Sequence, residues 1–398
     1  MTPVTADAPR LWTRDFVLAL ATNFFIALIF YLLMTTMAQY AATRFGASES
    51  LAGLAASAFI IGAILSRALG GKLLDFIGRR RSLLIAMSFF VLVSVLYIPV
   101  DNLYVLFAMR FVQGVAFGAG NLALAAAVMS LIPARRRGEG TGYFGVSVTF
   151  ATAVGPFLAV VLLDSVGYTA LFVACALFST AGLITALLLR LPERTPTPDE
   201  VANRWKLRLS DIVDPSSLPI ATVMLIGGFA YSGVLTFVNG YAQSSGTPLG
   251  GSTYFLVYAV FVLVCRLFVG RIQDTRGDNV VIYPAITLFA LGMAALAFVP
   301  GLVGFVAAGV LVGVGFGSLM PCAQAIAVSE APPARVGYAT STFFLMLDIG
   351  TGVGPILLGL VVTAIGFPAM YSALTVVVLF MAVVYHYAHG RKPRTRRV

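Results

Sequence analysis

The sequence predicts an all-α membrane protein, with twelve transmembrane helices arranged as two pseudo-symmetric six-helix bundles. Three observations predict it. Of the 398 residues, 59% are hydrophobic and only 11% charged, with a mean hydropathy of +0.95, whereas soluble domains are about 25% charged. The apolar residues form continuous runs of roughly the ~20 residues that a helix rising ~1.5 Å per residue needs to cross ~30 Å of hydrocarbon. Membrane β-barrels instead alternate apolar and polar positions over about ten residues, so here the backbone polar groups are expected to be satisfied inside helices. Finally, the chain repeats itself at a constant offset of 199 residues.

Taken in order, the spans are expected at 16–42, 49–70, 82–99, 104–130, 141–163 and 167–190, then at 219–243, 250–270, 280–299, 301–329, 338–364 and 367–388. Between the two sets, residues 191–217 hold Pro192, Pro196, Pro198 and charges of both signs, too polar to span. The expected organisation is an N-terminal bundle (1–190), a linker (191–217) and a C-terminal bundle (218–398). No short apolar core with a small-residue cleavage site precedes the first span, so that span is expected to direct insertion itself.

The formal charge of +10 has a topological origin. Of 26 Lys and Arg, 22 fall on one side of the predicted topology, Arg44 alone falls on the other, and Arg67, Arg110 and Arg266 fall within spans. Basic residues accumulate in short cytoplasmic loops, so both termini are expected to be cytoplasmic. No nucleic-acid partner is needed to explain the charge; the Arg-rich tail is a candidate contact for anionic membrane lipid. Cys175, Cys265 and Cys322 lie isolated in apolar segments, as packing residues do. No metal site is expected: His386 and His389 are three apart, a weak metal-like spacing without Cys or acid partners, and read as solvated helix ends.

The offset of 199 maps Arg67, Gly71, Lys72, Asp75 and Gly78 onto Arg266, Gly270, Arg271, Asp274 and Gly277. Further along, Gly114, Gly118, Pro133, Arg136, Gly155 and Pro156 fall on Gly313, Gly317, Pro332, Arg335, Gly354 and Pro355. The loop after the second span, from Gly71 through Asp75 and Gly78 to Arg79, Arg80 and Arg81, resembles the signature loop of the major facilitator superfamily. Its partial copy, Gly270 to Gly277, resembles it too. The resemblance covers nearly the whole chain. It implies the major facilitator fold, alternating access around a central site, and a cytoplasmic gate in which Gly71, Asp75, Gly78, Arg79, Arg80, Gly270, Asp274 and Gly277 latch the halves.

In the fourth span Leu106, Arg110, Gln113 and Gly114 resemble a motif of proton-coupled drug antiporters, which places Arg110 among candidate proton-coupling residues. Arg110, Gln113, Phe117 and Asn121 share one helix face. The repeat sets Gly309, Val312, Phe316 and Met320 opposite them, a polar wall facing an apolar one. A buried Arg costs at least ~2.5 kcal/mol in a bilayer, so Arg110 needs a cavity or a partner; bonding to carbonyls of neighbouring spans is the structural alternative. Antiporters of this kind also carry a glycine-rich pattern in the fifth span, of which Gly155 and Pro156 are half; Gly354 and Pro355 match more closely, and both pairs are candidate helix bends.

Asp348 is the one acid placed deep in a span, ~16 Å from its start by helical rise. Its repeat partner is Thr149, so the shared fold does not impose it. It is the candidate proton site, with a counterion for a cationic substrate or a fixed pair with an arginine as alternatives. Arg67 and Arg266, one turn before their loops, are read as structural residues that snorkel to the cytoplasmic face. Ser232, Thr236, Asn239 and Gln243 form a polar stripe in the seventh span, and Tyr31, Thr35 and Gln39 a looser one in the first; with Asn23 they are candidates for the substrate cavity or for interhelical hydrogen bonds.

The resulting expectation is a monomeric secondary transporter of a bacterial inner membrane that exports small amphipathic molecules in exchange for protons. It is expected to need no cofactor and not to be an enzyme; no Gly-x-x-x-x-Gly-Lys-Ser/Thr loop for ATP occurs. Open alternatives are a dedicated exporter of a metal-chelating, opine-like metabolite, an uptake symporter for a sugar, acid or nucleoside, and a non-transporting membrane sensor.

Overall fold

The computed structural model describes residues 11–133, 136–191, 213–332 and 335–391; within these, the side chains of 68–76, 129, 137–139, 141, 142, 153, 336 and 337 lie outside the description. The first half comprises α1 (Arg14–Phe45), α2 (Glu49–Ile77), α3 (Arg79–Leu96), α4 (Leu103–Leu131), α5 (Arg137–Ser165) and α6 (Tyr168–Leu188). The second comprises α7 (Leu218–Ser244), α8 (Gly250–Arg276), α9 (Asp278–Phe298), α10 (Gly301–Glu330) and α11 (Val336–Tyr385), followed by a π-helical turn, His386–Gly390. Inside α11, Gly366 has φ 80° and ψ 170°, so the 50-residue helix is two arms meeting at a bend. With α11 counted as two arms, the described helices match the twelve expected spans. The structure is all-helical, and large apolar side chains such as Leu177, Leu267, Val303 and Val376 point outward, as lipid-facing surfaces require.

The helix ends follow from local chemistry. Thr13 caps α1 by accepting from the Phe16 amide, and Gly46 closes it with φ 63°, its N–H reaching the carbonyls of Ala41 and Ala42. Asn102 caps α4 by accepting from the amides of Tyr104 and Val105. The repeat is visible in the backbone itself. Gly78 and Gly277, 199 apart, have φ of 92° and 93°, and Gly167 and Gly366, also 199 apart, have φ of 91° and 80°; these conformations are accessible essentially only to glycine. The Arg136 amide bonds the Pro133 carbonyl at 2.8 Å, and its counterpart Arg335 bonds Pro332 at 2.7 Å.

Several helices run past the ends expected from hydropathy. Hydropathy stops the second and eighth spans at 70 and 270, but α2 continues to Ile77 and α8 to Arg276. The loop motifs are thus helical up to their final glycines. At the ends of the molecule, Asp15 accepts from the Arg190 amide at 3.1 Å, joining α1 to the end of α6. Asp214, just before α7, accepts from Arg335 Nε at 2.6 Å and from the Ser217 amide at 3.2 Å, and also from the Ser216 hydroxyl. Burial acts to raise the pKa of Asp214; the bonds from Ser216, Arg335 and Ser217 outweigh it, so the carboxyl sits below its ordinary range.

The halves meet along α2 with α11, α5 with α8, and α1 with α7. The seam is tightest at the end where α2 begins: a Cβ on Gly53 would fall 2.1 Å from the Pro355 carbonyl oxygen, and one on Gly359 would fall 2.4 Å from that of Glu49. At the other end, a Cβ on Gly145 of α5 or on Gly270 of α8 would meet nothing within 4 Å. The interface is closed at one end and loosens toward the end bearing the Arg-rich loops.

Candidate functional site

Halfway along the seam, the repeat places two arginines opposite two different partners. Arg67 of α2 pairs with Asp348 of α11, an ion pair between the halves. At the equivalent position, Arg266 of α8 donates to the hydroxyl of Thr149 of α5. Arg67 corresponds to Arg266 and Thr149 to Asp348, so one pseudo-symmetric contact has an acid and the other an alcohol. By helical rise, all four residues lie ~15–18 Å from the loop ends of their helices. The reading of Arg67 and Arg266 as snorkelling residues is therefore corrected. Arg67 pairs with Asp348 and Arg266 donates to Thr149, so both arginines reach across the seam rather than toward water.

The Arg67 guanidinium also lies 5.7 Å from the Phe117 ring centre, and Phe117 is packed against Phe30 and Phe59 at 5.3 and 5.1 Å. Around Arg266, a cavity of about 10 Å³ is lined by Tyr31 of α1, Thr152 of α5, Tyr231 of α7, Tyr258 of α8 and Phe316 of α10. Tyr231 stacks on Phe316 with ring centres 4.1 Å apart and planes 9° apart, and shares a 3.0 Å hydrogen bond with Tyr258.

Arg110 does not join this group. It is fully buried inside the first half, with Nε donating to the Ala55 carbonyl at 3.1 Å, Nη1 to Gln113 Oε1 at 3.0 Å, and the guanidinium 4.6 Å from the Phe59 ring centre. Tyr97 donates to the same Gln113 oxygen at 2.8 Å. In this conformation the polar wall expected from Arg110 and Gln113 is an internal bonding network of α2, α3 and α4. The apolar residues expected opposite it, Phe316 and Met320, instead line the Arg266 cavity. The physical reason is that residues sharing a helix face need not face the same thing: Phe117 lies against Arg67 of the seam, while Gln113 and Arg110, about one and two turns nearer the start of α4, turn into the bundle.

The other polar candidates divide. Asn23 donates to Ser147 at 2.9 Å and to the Phe144 carbonyl at 3.4 Å, an α1–α5 bond rather than a cavity lining. Ser232 bonds its own helix at the Phe229 carbonyl and packs at Gly354, where a Cβ would come within 1.9 Å of its oxygen. Gln39, Thr236 and Asn239 each bury a polar atom without a partner, and Gln243 is exposed at the end of α7. Asn121 is half-buried. Pro156 and Pro355 lie within helices, and the glycine before each makes close contact, Gly155 with Tyr31 and Gly354 with Ser232.

Of the gate motif, Gly71 and the side chain of Asp75 lie outside the described residues. Arg79 donates to Ser130 at 3.0 Å and Arg80 to the Leu187 carbonyl at 3.4 Å, both within the first half. Gly78 and Gly277 form the turns described above, and Asp274 is exposed on the last turn of α8. Two residues were missed by sequence reasoning. Gln273 is buried within the second motif copy and donates to Asp278 at 2.7 Å and to the Cys322 carbonyl at 3.0 Å; Tyr258 lines the Arg266 cavity from the middle of α8. His386 is exposed, as expected of a solvated helix end, and contacts Tyr283 at 2.8 Å, whereas His389 is half-buried and contacts two acids, Glu330 at 2.8 Å and Asp278 at 3.1 Å. Among the described residues no group of His, Cys, Asp and Glu is arranged to hold a metal.

Two repeated bundles with an apolar exterior and buried charge along their seam define a multi-pass membrane transporter. The chain belongs to the Major Facilitator Superfamily, whose model matches residues 19–337 and 285–398. It is 19% identical to the Staphylopine export protein of Staphylococcus aureus over 85% of this chain and 87% of that protein. It is 24% identical to the Multidrug resistance protein MdtG of Enterobacter lignolyticus over 95% and 93% of the two chains. Among solved structures, the nucleoside transporter NupG superposes with a TM-score of 0.75 at 15% identity, covering 94% of this chain and 99% of its own, which shows the shared fold.

Proposed function

We propose that this chain is a proton-coupled exporter of small amphipathic molecules, acting as a monomer in a bacterial inner membrane with both termini in the cytoplasm. The observation that carries the reading is the Arg67–Asp348 pair, whose two charges come from different halves at mid-helix depth. Within a low dielectric the attraction between such charges is strong, and it vanishes when the carboxylate is protonated. A proton reaching Asp348 would release Arg67 and with it one strut between α2 and α11. Loss of the proton to the opposite face would restore the strut. A carboxylate whose charge state decides whether the halves hold together is the element that alternating access coupled to protons requires. The similarity to two proteins named for export and multidrug resistance supports the outward direction.

The test uses inside-out vesicles with an acidified interior and a panel of cationic, neutral and anionic amphiphiles. Solute entry coupled to proton exit is read by dequenching of a pH-sensitive dye. Wild-type protein is expected to dissipate the gradient with at least one panel member, and Asp348→Asn to abolish that coupling while remaining folded. Undiminished coupling in Asp348→Asn removes the residue from the role, and solute uptake confined to right-side-out vesicles overturns export.

A further inference from the structure

The two pseudo-symmetric contacts leave the seam with an unbalanced positive charge. Arg67 is answered by Asp348, but Arg266 is answered only by the neutral hydroxyl of Thr149. Among the described residues no carboxylate lies within ion-pair distance of Arg266. Its Nε is shut off from solvent and has no hydrogen-bond partner. Thr149 occupies Nη1, so the edge formed by Nε and Nη2 is uncommitted. That edge presents two parallel N–H donors, the fork that matches the two oxygens of a carboxylate.

The surroundings complete a site. The cavity against Arg266 straddles the halves, with Tyr31 and Thr152 from the first and Tyr231, Tyr258 and Phe316 from the second. Tyr231 and Tyr258 share one hydrogen bond between their hydroxyls, so one O–H hydrogen of the pair is left for a ligand oxygen. The stacked Tyr231 and Phe316 rings supply a flat apolar wall beside the charge. At about 10 Å³ the cavity has room for roughly one water, so a larger ligand enters only as the halves part. Arg110 is a poorer candidate, sealed within one half with its guanidinium over the Phe59 ring. An unneutralised guanidinium inside a membrane-spanning bundle is costly, and an arriving anion would remove that cost only while it is bound.

We propose that Arg266 is the substrate-anchoring residue and that the transported molecule carries a carboxylate, docked on the Nε–Nη2 edge with its apolar part along Tyr231 and Phe316. This deepens the transporter reading by naming its substrate class, and it rests on that reading. Binding is measured without a gradient, so failure of the flux assay and failure of this inference are separable.

The experiment measures thermal stabilisation of the purified full chain in detergent by 4-phenylbutyrate, 2-naphthoate and hexanoate, each paired with the amine and the primary amide of the same skeleton. The expected result is stabilisation by at least one carboxylate and by none of the amines. In Arg266→Gln the apparent affinity for that carboxylate is expected to fall about tenfold or more, because a charge-assisted bidentate contact is lost. Arg266→Lys keeps the charge but loses the fork and is expected to fall between the two, while Arg271→Gln, which removes an exposed charge on the same helix, is expected to match wild type. If Arg266→Gln does not survive purification, Arg266→Lys decides. Absence of carboxylate binding by wild type, preference for the amines, or unchanged affinity in Arg266→Gln or Arg266→Lys overturns the proposal.

Discussion

Arg67, Arg110 and Arg266 are the three cations the sequence places inside the membrane, and each is accommodated differently. A central Arg costs about 2.5–3.5 kcal/mol on insertion scales. Arg67 offsets this with a carboxylate, Arg266 with an alcohol, and Arg110 with a carbonyl, an amide oxygen and an aromatic face. Arg110 depends on shape, since Nε and Nη1 point to different acceptors on different helices. A lysine has one compact ammonium and cannot reach both. Arg110→Lys is therefore expected to lower stability by about 1–3 kcal/mol, seen as a lower midpoint of thermal unfolding in detergent. A transport loss no larger than that stability loss explains would place Arg110 in the scaffold. At this scale the sequence identified which residues are exceptional, because a charge in an apolar run stands out. It could not identify their partners. Nothing in one chain's periodicity says that Arg67 reaches Asp348 281 positions away, or that the face shared by Arg110 and Phe117 divides between bundle interior and seam.

The elements were more legible, and where they differ the cause is specific. Hydropathy marks where a helix leaves hydrocarbon, whereas glycine at positive φ marks where it stops; α2 ends at Gly78 and α8 at Gly277. The offset of 199 fixed the first pair of turns through its loop motif. It also holds for Gly167 and Gly366, where no motif drew attention to it. The glycines of the seam have unequal roles. Gly53 lets α2 approach the Pro355 carbonyl so closely that any Cβ forces the backbones apart, while Gly145 faces open space. Gly53→Ala is expected to cost roughly 1–3 kcal/mol by overpacking and to reduce transport. Gly145→Ala, in mid-helix with room for the methyl, is expected to leave thermal stability within about 1 kcal/mol of wild type or to raise it, since alanine is the better helix former. Equal losses in both would mean that the closed end of the seam is no tighter than the other.

At the scale of the molecule, the distribution of basic residues and the geometry of the seam bear on the same question. The Arg-rich loops lie at the end where α5 and α8 loosen, and the tight contacts of Gly53 and Gly359 lie at the end carrying Arg44. If basic residues mark the cytoplasm, the seam is packed more tightly toward the exterior than toward the cytoplasm, the side from which an exporter would load its substrate. The orientation is tested with single cysteines in a background lacking Cys175, Cys265 and Cys322. Asp101, exposed between α3 and α4, lies on the side with few basic residues, and Glu200 falls in the stretch 191–217 that the sequence leads one to expect as a linker. On intact cells a membrane-impermeant maleimide is expected to label Asp101→Cys and spare Glu200→Cys, with the latter reacting only after permeabilisation. Labelling of both from outside would place an even number of spans between loop and linker, and the assignment of Asp348 as a proton site reached alternately from the two faces would lose its topological basis.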